Sequence, residues 1–300
     1  MINLFLNTKK RRICGVFFIF IAIQIGGVCQ QFNIVHQCVR KQSSEGVEHV
    51  GYSLSYNESH EQANWVSYIH ERSKASASIE RGNDFRTDPS VKTGSAELDD
   101  YAGSGYDRGH LAPAADMAWS ARAMSESFFM SNMSPQLPSF NRGIWKQLES
   151  LVRSWAMLYD SLLIVTGPVL TDGLTTIGFN RVSVPEQYYK LVYRLVEGDF
   201  ESIAFVLNQR ANGDLSEYVK SVSEVEEMVG IDFCHGLGSA QLKETRVCQN
   251  CWEWKPSDGM KSGSEDESQP NRCKAITKSG TRCKNSAGGN PTGLCGVHRK

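Results

Sequence analysis

No part of this chain supplies a series of membrane-spanning segments. Its longest apolar stretch, Ile13 to Val28, is 16 residues, short of the ~20 a spanning helix needs. Glycine, at 26 of 300 residues, is far too sparse for a collagenous chain. The 40% hydrophobic and 22% charged content excludes wholesale disorder, and no segment repeats. An excess of charge of one sign is also missing: 32 basic against 33 acidic residues give a net charge of -1. Taken as an average, that balance argues against a strongly basic nucleic-acid binder. What is present is globular composition, with room for one large domain or two small ones.

The charge is unevenly spread. Residues 1–12 carry Lys9, Lys10, Arg11 and Arg12 without an acid, so +4, and residues 271–300 hold seven Lys/Arg without an acid, so +7. The remaining 258 residues therefore carry -1 - 4 - 7 = -12. Of this, Ser257 to Pro270 holds four acids and one lysine, -3, which leaves -9 on residues 13–256. Two basic ends flank an acidic body.

The basic run before Ile13–Val28 and the small residues after it describe a secretory signal over residues 1–29. Gly27 and Cys29 fit the -3 and -1 positions of a cleavage site, leaving Gln30 first. An uncleaved membrane anchor is the alternative. Either way the body is expected to be secreted or periplasmic, in an oxidising compartment.

Residues 30–48 read as a leader. From 49 to 240 the pattern is that of an α+β domain. Strands are expected at Val47–Tyr56, Trp65–Ile69, Phe128–Met133, Ser161–Val169, Gln187–Leu195 and Ser202–Leu207. A polar loop is expected at Ser73–Tyr106. Phe140–Tyr159 is the clearest helix, with Ile144, Leu148, Leu151, Trp155 and Leu158 on one apolar stripe. Asn141, Trp145, Glu149 and Arg153 form a polar strip at its border. Ser223 and Glu226 have capping-box spacing for a further helix that Gly230 would end. Residues 241–270 read as a linker containing Cys248-x2-Cys251, and 271–300 as a separate tail.

The stretch Asp107-Arg108-Gly109-His110 joins a proton acceptor to a guanidinium that can fork onto phosphate. Downstream follow Asn132, Pro135-Gln136, Asn141, Trp145, Leu148-Glu149 and Thr166-Gly167-Pro168. Upstream stand Tyr52-Ser53-Leu54-Ser55-Tyr56 and Asp84-Phe85-Arg86-Thr87-Asp88. With these ordered motifs the chain resembles the DNA/RNA non-specific endonucleases, which include extracellular bacterial nucleases and mitochondrial endonuclease G, over about His49 to Leu237.

The resemblance implies a ββα-metal nuclease domain with a mixed or antiparallel sheet, acting on DNA and RNA with a divalent cation, Mg2+ or Mn2+. Carried onto this sequence, His110 would be the general base that activates water. Asn141 would be the direct protein ligand of the ion, and Glu149 would hold water around it. Arg108 and Arg153 would stabilise phosphate charge, and Asn132 would be a polar support in the cleft. Arg81 is the preferred upstream arginine, with Arg86 competing. The family's products, with 5′-phosphate and 3′-hydroxyl ends, are expected here too. The chemistry is coherent, because a hard cation binds through few protein oxygens and a histidine titrates near neutrality. One distance resists: eight residues of ideal helix separate Asn141 and Glu149 by about 12 Å. They can serve one ion only through water and a long side chain, or if Asn141 precedes the first full turn.

The tail carries Cys273, Cys283, Cys295 and His298, four soft ligands able to fix Zn2+ in a segment too short for its own core. Disulfides are the alternative. Without Cys14 and Cys29 seven cysteines remain, an odd number that cannot all pair. With its +7 charge the tail also suits phosphate binding, and it has no aromatic platform for reading bases. The expected function is an exported, metal-dependent endonuclease of DNA and RNA. A non-catalytic nucleic-acid binder on a nuclease scaffold and a secreted nuclease toxin are the alternatives. A homodimer and an N-terminal anchor are the further partners left open.

Overall fold

The computed structural model describes residues 46–197, 199–233 and 249–254. All belong to the first of two units, residues 1–256. The second unit, 257–300, lies outside the described residues, as do the expected signal, most of the leader and linker, and the zinc candidates Cys273, Cys283, Cys295 and His298. Among the described residues no helix is long and apolar enough to cross a membrane.

A seven-stranded antiparallel sheet forms the body. Its strands are β1 (Gly46–Glu48), β2 (Ser53–Asn57), β3 (Gln62–Glu71), β6 (Ser161–Pro168), β9 (Gln187–Val196), β10 (Asp199–Asn208) and β11 (Val219–Lys220), side by side in that order. Two short strands, β7 (Thr176–Ile177) and β8 (Val182–Ser183), pair only with each other. Both faces of the large sheet are covered, which is why its central strands are apolar on both sides. In β9, Tyr188 and Val192 point into one core with Trp145, Leu148 and Trp155. Tyr189, Leu191 and Tyr193 point into the other, with Val222, Val225 and Phe233. Lys190 shares the first face with Tyr188 and Val192 by strand alternation and is fully buried there.

A two-stranded ribbon stands apart from the sheet. Strand β4 (Asp107–His110) pairs antiparallel with β5 (Met133–Gln136), Arg108 opposite Pro135 and His110 opposite Met133. The Asp-Arg-Gly-His stretch is therefore a strand. The strand expected at Phe128–Met133 begins only at Met133, because Met130–Asn132 is a tight 3-10 turn. Pro135 sits inside β5, since a two-stranded ribbon leaves its other edge free of pairing demands. Its carbonyl accepts hydrogen bonds from the Tyr188 hydroxyl at 2.7 Å and the Gln209 amide at 3.1 Å. A Cβ on Gly109 would collide with the buried Gln136 side chain, so glycine is required at that point of β4.

The long helix covers the sheet, but its regular part is Lys146–Tyr159. Before it come a turn at Pro138–Phe140 and a wide π turn at Asn141–Trp145, broken at Gly143 with φ -101° and ψ -116°. Ribbon and helix together form the expected ββα unit. The buried stripe holds for Ile144, Leu148, Leu151 and Trp155 but not for Leu158, which is 47% exposed; Val152 and Ala156 are buried instead. Trp145 is not part of a polar strip, since it lies in the core. The capping box of the Val222–Val229 helix is Ser221 with Glu224, two residues before the expected pair, and Gly230 ends it in the left-handed conformation at φ 69°.

After the family-like body, residues 249–254 return to the sheet as an aromatic strap. Trp252 packs on Trp155 with ring centres 4.6 Å apart and on Tyr159 at 5.6 Å, and Trp254 meets Trp155 at 6.0 Å and Phe205 at 6.1 Å. Arg194 lies over Tyr159 at 4.2 Å and over Trp252 at 4.5 Å, and donates to the Cys251 carbonyl at 2.8 Å. Cys251 is disulfide-bonded, and its partner lies outside the described residues.

Candidate active site

His110 ends β4 and is buried between aromatic rings. Phe128 meets it edge to face at 5.1 Å and Phe85 at 5.8 Å. The same two rings carry the arginines: Arg108 stacks on Phe85 at 4.2 Å, and Arg81 lies over Phe128 at 5.1 Å. Cation–π contact holds each guanidinium without an anionic partner. Neither Arg81 nor Arg108 makes an ion pair among the described residues, so both keep their charge for a ligand. Arg86, the competing upstream arginine, bonds the Asp84 carboxylate at 2.9 Å and the Ser125 carbonyl at 2.9 Å.

The His110 imidazole Nε2 makes no hydrogen bond to any described protein group. Burial, and then the charges of Arg81 and Arg108, push its pKa down to about 3. This corrects the expectation of titration near neutrality: in the free protein His110 is neutral at any physiological pH and available as a base. A stability consequence follows. In the unfolded chain the imidazole takes a proton near its ordinary pKa, while the folded protein refuses it until about 3. Folding stability should therefore fall as pH drops from about 6.5 toward 3, by at most about 1.4 kcal/mol per pH unit. His110→Asn should show a shallower loss across that window in thermal melts, and parallel curves for the two proteins would contradict the assignment.

Asn141 stands before the Gly143 break, ahead of the first regular turn of the long helix. This is the placement that the sequence required if Asn141 and Glu149 are to serve one ion. Its amide Nδ2 donates to Asp107 Oδ2 at 2.9 Å, and Arg142 forks onto the same carboxylate at 2.8 and 2.5 Å. Burial pushes the Asp107 carboxyl up, but the bonds from Arg142 and Asn141 outweigh it and hold it below the usual range. A carboxylate only accepts, so Asp107 fixes which end of the amide it faces. The Asn141 oxygen is left without a hydrogen bond among the described residues.

Glu149 and Arg153 lie one and two turns further along the same face as Trp145. Burial raises the Glu149 pKa, opposed by Lys190 and Arg153. Arg153 does not pair with Glu149 within the helix; it donates to Asp116 of the Ala114–Met117 turn. Asp116 also accepts from the Tyr68 hydroxyl at 2.7 Å and lies 3.9 Å from the His70 imidazole. Arg153 is thus already balanced by an acid, unlike Arg81 and Arg108, which weakens its expected use as a phosphate clamp.

Asn132, expected as a polar support, is fully buried. Its amide donates to the carbonyls of Ala112 at 3.0 Å and Ser127 at 2.8 Å, and its oxygen accepts from the Ala112 amide at 2.9 Å. The residue clamps the backbone just after His110. Phe85, Phe128, Asp107, Asp116 and Lys190 are the site-forming residues that spacing did not single out; Phe85 and Asp107 stood inside the quoted motifs, yet their partners are distant in sequence. Among the described residues no cluster of three or more His, Cys, Asp or Glu could hold a metal. The donor suited to a hard cation is the Asn141 oxygen.

Comparison with known proteins bears on the family. A family model described as DNA/RNA non-specific endonuclease matches residues 35–240. Nuclease C1 of Cunninghamella echinulata var. echinulata is 31% identical over 68% of this chain and 88% of its own length. A nuclease of Nostoc sp. is 35% identical over 61% of this chain and 70% of its own, and human mitochondrial endonuclease G is 34% identical over 50% and 56%. Among solved structures, a chain from the EndoG/EndoGI complex aligns with a TM-score of 0.62 at 27% identity, covering 68% of this chain and 93% of that one. This chain belongs to the DNA/RNA non-specific endonuclease family and is a hydrolase of nucleic-acid phosphodiesters.

Proposed function

We propose that this protein is an exported, Mg2+-dependent endonuclease that cuts DNA and RNA with little sequence preference, using His110 as the general base. The observation that carries the reading is the unpartnered His110 Nε2, held neutral between two arginines that have no ion pairs among the described residues. A buried ring nitrogen without a hydrogen bond is costly by about 1–3 kcal/mol, a cost that a proton acceptor explains. Arg81 and Arg108 would draw the scissile phosphate to the imidazole. His110 would then take the proton of the attacking water, and cleavage would leave 5′-phosphate and 3′-hydroxyl ends. The basic run before Ile13 supports export, and the +7 tail supports long-range attraction of a polyanion to an acidic body.

The family is metal-dependent, generally with Mg2+, and the residues present fit such an ion. The Asn141 oxygen is a hard, neutral donor turned away from Asp107, and Glu149 would accept from water around the ion. When bound, the cation would polarise the phosphodiester and stabilise the leaving oxygen. The purified protein should degrade plasmid DNA and single-stranded RNA with Mg2+ and stop when EDTA is added. Absence of cleavage with Mg2+, Mn2+ and Ca2+ alike would sink the reading.

A further inference from the structure

Lys190 is an unusual residue for the middle of a buried strand. It is 1% exposed, and among the described residues it forms no ion pair. Its ammonium donates to the Thr166 hydroxyl at 2.6 Å, directly across the β6–β9 pairing, and lies over the Trp145 ring at 5.1 Å. Trp145 is one helical turn before Glu149, so the ammonium is held beside the face on which Glu149 stands. Burying an unpaired ammonium is expensive, and an apolar residue would fill this row of Tyr188 and Val192 at lower cost. One function makes sense of the arrangement.

We propose that Lys190 is a positioning residue of the candidate site, its buried ammonium being the counter-charge that keeps Glu149 a carboxylate. The proposal rests on the nuclease reading for its kinetic consequence and on the buried geometry for its electrostatic one. The charges facing the pair are few. Asp116 and Arg153 act on both groups, and Arg81 acts on Glu149. Tyr68 and His70 lie behind Asp116. Arg153 is committed to Asp116, so Lys190 is the cation left to balance Glu149 from within the core. Burial drives the two groups toward neutrality, Glu149 upward and Lys190 downward, while each one's charge favours the charged form of the other.

The test uses two arms on the full chain. In the first, Lys190→Met removes the charge and Lys190→Arg keeps it. Lys190→Met should lower kcat about fivefold at pH 7 with KM for plasmid little changed. That factor follows if Glu149, raised to about 7, ionises about one pH unit higher without its counter-charge. The loss should shrink as pH rises and Glu149 ionises by itself. Lys190→Arg should keep the wild-type profile. A Lys190→Met protein with the wild-type pH–rate profile would overturn the proposal. The second arm needs neither turnover nor metal, nor a folded Lys190→Met. The Lys190 ammonium is titrated by nitrogen NMR in the wild type and in Glu149→Gln, where it should lose its proton at lower pH because coupling is reciprocal. An unchanged Lys190 titration would overturn the proposal, even if the wild type proved to have no nuclease activity.

Discussion

His110→Ala should reduce cleavage by at least about 10²–10⁴-fold, the usual contribution of a positioned base, while leaving the fold intact. The imidazole touches Phe85 and Phe128 but its Nε2 bonds no described protein group, so truncation breaks no hydrogen bond there. Circular dichroism and a thermal melt should therefore resemble those of the wild type. A low proton affinity in the free protein does not disqualify the base. It arises from burial and from Arg81 and Arg108, and a phosphodiester held between those guanidiniums would offset their charge. The imidazole then gains proton affinity at the moment it must accept a proton. His110 should accordingly impose no loss of activity as pH falls below 6.5, and an acid limb in that range would report Glu149, whose pKa burial raises. Undiminished cleavage by His110→Ala would refute the role.

Asp116→Ala should be the most destabilising single change near the site. The carboxylate is 1% exposed and pairs with Arg153, whose side chain is 19% exposed; it also receives the Tyr68 hydroxyl at 2.7 Å. Burial pushes its pKa up, yet Arg153, His70 and Tyr68 outweigh burial and hold it below the usual range. Removing it strands a guanidinium in the core, which costs about 3–5 kcal/mol when one partner of a buried pair is deleted. At about 2–4 °C per kcal/mol for a domain of this size, the melting temperature should fall by roughly 10 °C. Removing the exposed Lys220–Glu224 pair, 3.1 Å apart, should change stability by well under about 1 kcal/mol. Urea unfolding of the two variants checks the contrast. An Asp116→Ala protein as stable as the wild type would mean that Arg153 finds another partner.

Periodicity and turn chemistry made much of the body legible. The continuous apolar run at Ser161–Val169 is β6, and the stretches at Gln187–Leu195 and Ser202–Leu207 lie within β9 and β10. These are strands buried on both faces, and their composition says so directly. The Ile144 to Trp155 stripe was legible for the same reason. Leu158 was not, because periodicity reports which side of a helix is apolar but not where its neighbour ends. In the site, the Asp107–His110 stretch and Asn141 were visible as chemistry. Their arrangement was not, since Asn141 is oriented by an acid 34 positions away and Arg153 is balanced by one 37 positions away. The stacking of Arg108 on Phe85 and of Arg81 on Phe128 is likewise set by chain crossings that spacing does not encode. Asn132 was legible as a polar support, but the backbone groups of Ala112 and Ser127 that its amide holds were not.

The aromatic strap bears on where this domain stops. The family match ends at residue 240, but Trp252 and Trp254 complete the cover over Trp155, Tyr159 and Phe205. A fragment cut at the family boundary would uncover that ring cluster and leave Arg194 without the Trp252 face and the Cys251 carbonyl it now uses. Such a piece would present a sticky aromatic surface to its own copies. The cover lies on the helix that carries Glu149 and Arg153, so trimming would loosen the support of the candidate site. For this chain, the packed domain runs further than its recognisable family match.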